Sequence, residues 1–187
     1  MKNIYLQTEE AIEFVKRTFS GVLSESLKLT KVSSPIAVID GTGINDDLNG
    51  TERPVRFPVR GLNDRQAVVV HSLAKWKRMR LGQLEVEEGY GIITDMHALR
   101  PDEEFSPLHS IYVDQWDWEV HMPYEKRTMA YLKETVNSIY EALKFTEKRV
   151  SARYPEIIPV LPEQITFIHS EELLRHYPAL SPRQRED

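Results

Sequence analysis

At 187 residues and a formal net charge of −5, the chain suits one domain that can withdraw roughly 70% of its unfolded surface from water. The acidic balance argues against a protein whose main task is coating nucleic acid. No apolar run approaches the ~18 residues that would span a bilayer. The N-terminus lacks the pattern of a secretory leader, and the absence of cysteine rules out disulfides and thiolate metal sites, so the cytoplasm is the expected compartment.

In chain order, Ile12, Val15, Phe19, Val22, Leu23 and Leu27 recur at three-to-four-residue spacing. They predict a core-facing helix from Thr8 to about Lys28, with Thr8 as its N-cap. "LTKVSSPIAVID" reads as a strand that ends toward the turn-rich acidic loop "GTGINDDLNG". "PVRFPVR" and "QAVVVHS", separated by "GLND", predict a hairpin whose first strand Pro58 confines to an edge. A basic helix over "LAKWKRMRLGQ", a strand over "YGIITDMHAL" and a loop over "RPDEEFSP" follow. Then comes a polar–apolar strand, "VDQWDWEVH", and a long helix from Glu125 to Ala152, marked by Met129, Leu132, Val136, Ile139, Leu143 and Val150. The tail carries a strand "ITFIHS", a short helix "SEELLRHY" capped by Ser170, and the first turn of a further helix in "LSPRQRED". The strands cluster rather than alternate with helices, so the class is α+β, an antiparallel sheet flanked by helices in one domain over residues 1–187.

The informative stretch is the polar strand. Successive side chains on a strand face opposite ways, so Gln115, Asp117 and Glu119 share one face and Trp116, Trp118 and Val120 the other. A half-exposed sheet meeting water accounts for such a pattern in isolation. A cleft floor that offers acceptors to a ligand accounts for it together with Arg100, Ser72 and Lys77, cations and a hydroxyl placed at neighbouring strand ends. On this second reading Arg100, Lys77 and Asp117 meet around a common pocket. His71, His97, His121, His169 and His176 have no metal-ligand spacing, so no metal site is expected. "KWKRMR" reads as a solvated helix face with one functional lysine, and "GTGIND" is too short to be a phosphate loop.

Together "VHSLAKWKR", "ALRPDE" and "SPLHSIYVDQWDWE" resemble the ammonia-dependent asparagine synthetase, or aspartate–ammonia ligase, family. That family is in turn similar to the catalytic core of class II aminoacyl-tRNA synthetases. The resemblance runs along the whole chain, including "FVKRTFS" and "FIHSEELLRHYP", but reaches only a little beyond the first half of the family's domain, leaving the core incomplete at its C-terminus.

The resemblance implies ATP-dependent ligation of ammonia to L-aspartate through a β-aspartyl-AMP intermediate, with AMP and diphosphate released. Arg100 would bind the α-phosphate, with Glu103, His109 and Ser110 also facing ATP; "RPDE" carries one residue more between Arg and Glu than the usual pattern. Ser72 and Lys77 would hold the α-carboxylate of aspartate, Asp117 its α-ammonium with help from Gln115, and Asp46 would position ammonia or take a proton from ammonium. Pro35 would belong to a homodimer interface. Magnesium ligands and a second ATP-clamping arginine would lie in the half not matched, so this polypeptide alone is expected to have little or no ligase activity. Two other readings stay open: an aspartyl- or asparaginyl-tRNA synthetase-like enzyme, and a non-catalytic relative that binds aspartate or nucleotide.

Overall fold

The computed structural model describes residues 3–46, 48 and 50–186; Asp47 and Asn49 of the acidic loop, and Asp187, lie outside them. Helix α1 (Ile4–Leu27) starts four residues ahead of the expected Thr8. Asn3 supplies the cap by accepting the Tyr5 N–H at 2.9 Å, while the Thr8 hydroxyl donates back to the Ile4 carbonyl. Lys28 ends the helix in a left-handed conformation, φ 54°.

The single strand expected over residues 29–40 is two. β1 (Leu29–Lys31) runs parallel to β5 (Gly91–Leu99), and β2 (Ala37–Ile39) belongs to a different sheet. Between them, Ser34 interrupts the ladder by accepting from Thr94 Oγ1 at 2.9 Å and donating to the Asp95 carbonyl, and Pro35 has no N–H to donate. The hairpin of β3 (Arg56–Val59) and β4 (Arg65–Val69) forms as expected, with Pro58 on the edge strand of the order β2-β4-β3. Asn63 and Asp64 take the positive φ angles that close its turn.

α2 (Ala74–Gln83) follows β4, and β5 pairs with β6 (Tyr112–Val120) in an unbroken antiparallel register from Gly91↔Val120 to Leu99↔Tyr112. That ladder separates two apolar clusters. On one face Trp116, Trp118 and Ile93 meet Phe19 and Leu23 of α1 and Ala142 of α3 (Met129–Arg153); the Phe19 and Trp116 rings are 4.6 Å apart. On the other, Met96 and Ala98 pack on Val70, Leu73 and Trp76.

Thr128 caps α3, three residues after the expected start. The tail departs most from expectation: "ITFIHS" forms no strand. Instead α3 holds the chain ahead of it along its own side. Tyr140 donates to the Pro162 carbonyl, Lys144 to Glu163, and the Glu147 carboxylate accepts the Val160 and Leu161 N–H groups at 2.6 and 2.9 Å. His169, not Ser170, caps α4 (Ser170–His176), and α5 (Pro182–Glu186) forms the terminal helical turn.

Gly91 tests the closeness of the β1–β5–β6 ladder. A Cβ there would sit 2.4 Å from the Glu119 carbonyl oxygen and 2.7 Å from Leu29 Cδ2. Gly91→Ala is expected to lower stability by about 1–3 kcal/mol in urea unfolding; a loss within experimental error would mean the strands are further apart than described.

Candidate active site

The register puts Val113, Gln115, Asp117 and Glu119 on the same sheet face as Ala98, Met96, Thr94 and Ile92. α2 crosses that face because Leu73 and Trp76 bury themselves against Met96 and Ala98. One position after Trp76, the same helix lowers Lys77 onto β6.

Lys77 is 4% exposed, and its ammonium contacts the Asp117 carboxylate directly. It also donates to the Trp118 carbonyl at 3.0 Å and lies 3.8 Å from Glu119, whose other oxygen is 3.4 Å from Arg78. A charge buried this far is tolerated only when paired and hydrogen-bonded. Gln115 stands exposed one step along the same face.

Arg100 follows the last residue of β5 and is half-buried. Its side chain turns back to donate to the His71 carbonyl at 3.3 Å, while its Nε is buried with no hydrogen-bond partner among the described residues. Arg100 and Glu103 line an open cleft of about 520 Å³ with Leu48, Glu52, Pro101 and Asp102. Lys77 and Asp117 are not part of that cleft, so the groups expected around a single pocket instead occupy two stations on one face. Thr94, opposite Asp117, lies six residues before Arg100, roughly 20 Å of extended strand. The side chain of Arg100 and the segment from His71 to Lys77 bridge part of that distance.

The remaining candidates sit around these two stations. Ser72 is half-buried between them, its hydroxyl accepting the Ala74 N–H at 3.3 Å at the mouth of α2. Asp46 is half-buried, 3.8 Å from Lys75. The Glu103 N–H returns to the Arg100 carbonyl in a tight turn. His109 and Ser110 are exposed in the loop that leads into β6; His109 meets Ser106 at 2.8 Å, and Ser110 accepts from the Tyr112 N–H. Pro35 is half-buried beside Ile36, which is 65% exposed.

Two features were not foreseen in the sequence. Arg53 grips Asp102 through its backbone N–H (2.7 Å) and its guanidinium (2.9 Å from Nε), tying the segment after the acidic loop to the wall of the cleft. The Arg53 guanidinium and then its N–H hold the Asp102 carboxyl below the usual carboxylate range, with a smaller contribution from His71. Asp102 therefore stays ionised at neutral pH, and the tie is lost only as pH falls through that depressed value. The second feature is Asn45, buried, whose side-chain oxygen accepts the His71 N–H at 2.9 Å. Nothing in "GTGINDD" marks it apart from its neighbours, since asparagine beside glycine reads as turn material.

The arrangement sets a buried cation–anion pair at one station and a guanidinium with a spare donor at the other. Among the described residues no group of three or more His, Asp or Glu converges as a metal-ligand set, and no helix is long and apolar enough to cross a membrane.

Comparison with known proteins agrees in family and in fold. In fold, the chain is similar to asparaginyl-tRNA synthetase from Entamoeba histolytica, with a TM-score of 0.57 at 10% identity over 92% of this chain and 36% of that one. It is also similar to pyrrolysyl-tRNA synthetase from Desulfitobacterium hafniense, with a TM-score of 0.50 at 16% identity over 71% and 46%. These likenesses carry the class II synthetase core fold alone. In sequence, the chain is 55% identical over 181 residues to an aspartate–ammonia ligase from Parabacteroides distasonis, covering 97% of this chain and 52% of the relative. A second such ligase, from Bacteroides thetaiotaomicron, is also 55% identical, over 96% and 52%; one from Clostridium perfringens is 51% identical, over 96% and 54%. The chain thus spans about half the length of the curated relatives it matches. The family model for aspartate-ammonia ligase matches residues 6–187, and the chain belongs to that family.

Proposed function

We propose that this chain provides the aspartate-binding and α-phosphate-binding part of an enzyme that joins ammonia to L-aspartate at the expense of ATP. The observation that carries the reading is the buried Lys77–Asp117 pair on the acceptor face of β6. An amino acid brings a carboxylate and an ammonium to neighbouring atoms. Set between Lys77 and Asp117, its α-carboxylate takes the lysine and its α-ammonium takes the aspartate, so one ion pair is exchanged for two with every buried charge still matched. Gln115 and Ser72 flank that position as neutral hydrogen-bonding groups.

The second station suits a phosphate. The Arg100 Nε is a buried donor with no acceptor among the described residues, and such a group costs about 1–3 kcal/mol. A phosphate oxygen fits it, and the planar guanidinium suits such oxygens. The aspartate side-chain carboxylate would attack the α-phosphorus, with diphosphate leaving. Arg100 would stabilise the charge that builds on the α-phosphate oxygens. A free carboxylate resists attack by ammonia because it is already anionic; as the acyl adenylate it has a leaving group, and ammonia displaces AMP. Asp46 would position ammonia or take a proton from ammonium, and Glu103, His109 and Ser110 would line the ATP side. The described residues do not form a magnesium site. The reading also includes a homodimer with the Pro35 segment at its interface, for which the exposed Ile36 offers an apolar contact, a single domain over residues 1–187, and a cytoplasmic location, where ATP and aspartate are met together.

Titration calorimetry tests the two stations separately. The chain is expected to bind L-aspartate and AMP; Arg100→Lys, which loses the guanidinium fork, should weaken AMP about tenfold or more and leave aspartate unchanged. Loss of both ligands equally, or of neither, would contradict the assignment. Because the chain spans half its relatives, incubation with ATP, magnesium, aspartate and ammonia is expected to yield no more asparagine than buffer; turnover comparable to an intact ligase would show that the described residues suffice.

A further inference from the structure

The guanidinium of Arg100 is aimed by a main-chain carbonyl rather than by a carboxylate. Its Nη2 donates to the His71 oxygen at 3.3 Å, and that peptide lies at the joint where β4 has ended and the chain turns toward Ser72 and α2. A carbonyl at such a joint points in a defined direction only if the chain on either side is fixed. On the near side Val70 is anchored, its N–H donating to the Ile36 carbonyl at 3.1 Å. At His71 itself the fixing group is the Asn45 side chain, whose Oδ1 accepts the His71 N–H at 2.9 Å; both residues are buried. Asn45 immediately precedes Asp46. One buried amide thus ties the acidic loop to the residue whose carbonyl aims the arginine, through the peptide on its N-terminal side.

We propose that Asn45 is a positioning residue for the phosphate station: by holding the main chain of His71 it fixes the direction of the carbonyl that aims Arg100, and it does so while touching no ligand. This rests on the reading of Arg100 as the α-phosphate-binding group. The acceptor oxygen is the feature that matters, because a buried N–H must find one. Asn45→Leu keeps the branching at Cγ, at some added volume, and removes the acceptor; Asn45→Asp keeps an acceptor in the same place. A role confined to packing would make the leucine variant lose both ligands and gain nothing from the aspartate variant.

The test uses the 187-residue chain, with AMP and L-aspartate as probes in calorimetry and the Arg100 Nε–H followed by nitrogen-15 NMR. Asn45→Leu is expected to weaken AMP about five- to tenfold, to leave aspartate within twofold, and to speed hydrogen exchange at Arg100 Nε about tenfold. Asn45→Asp is expected to restore AMP affinity to within about twofold. In an Arg100→Lys background, Asn45→Leu should add no further loss, since two changes on one path are not additive. Equal loss of AMP and aspartate, or an Arg100 resonance indifferent to Asn45 while the wild type binds AMP, would overturn the proposal. A wild-type chain that fails to bind AMP although its Arg100 resonance still responds to Asn45 would remove the phosphate reading itself and leave Asn45 a purely structural tie.

Discussion

The buried ion pair between Lys77 and Asp117 is the constraint around which the rest is arranged. Lysine reaches a 4%-exposed position only because helix α2 is pinned to the sheet by Leu73 and Trp76, and because the strand beneath presents a carboxylate and a carbonyl at the right spacing. Remove the lysine charge and Asp117 loses its cation, at a cost of about 3–5 kcal/mol; remove the Asp117 charge and Lys77 keeps the Trp118 carbonyl and the more distant Glu119 carboxylate. On the proposed reading the pair exchanges for a partner that brings both charges at once, which would favour an amino acid over a simple anion or cation.

The two faces of the β5–β6 ladder divide the labour. Trp116 and Trp118 fasten β6 to Phe19 and Leu23 of α1 and to Ala142 of α3, so the strand is rigid from behind. The residues between them, Gln115, Asp117 and Glu119, face the other way and inherit that rigidity without contributing to the apolar cluster. Sites mounted on regular elements that are packed on their far side hold their geometry better than sites on loops. The Arg100 end of the face lacks this support: Arg100 lies past the end of β5, where the ties run from loop to loop, Arg53 to Asp102 and Asn45 to His71.

That difference explains what could be read from the residues alone. The alternation in "VDQWDWEVH" identified both faces of β6, and the spacing of Phe19 and Leu23 identified the side of α1 that covers them, because period and burial are local properties of a chain. The break of "LTKVSSPIAVID" into a parallel strand and an antiparallel one was not legible, since it depends on Ser34 finding Thr94, sixty residues away. The tail segment "ITFIHS" has good strand composition, yet strand pairing needs an open neighbour, and α3 holds the preceding chain elsewhere. The sequence reading brings Lys77, Asp117 and Arg100 to one pocket; Lys77 and Asp117 are in contact, while Arg100 lines a separate cleft, because a sequence gives no measure of how far along a strand two stations lie. Asn45 passed unnoticed for a physical reason: a loop asparagine is most often a turn residue, and only the buried N–H it satisfies distinguishes it.

The most direct measurement is the ratio of affinities for L-aspartate and for succinate, which keeps both carboxylates and lacks the ammonium, in the wild-type chain and in Asp117→Asn. If the substrate's charges replace those of the Lys77–Asp117 pair, aspartate should be favoured by about tenfold or more in the wild type, the value of roughly one charge-assisted contact, and the preference should vanish in the variant. Equal affinity for the two dicarboxylates in the wild type, or a preference for aspartate that survives the loss of the Asp117 charge, would contradict the account.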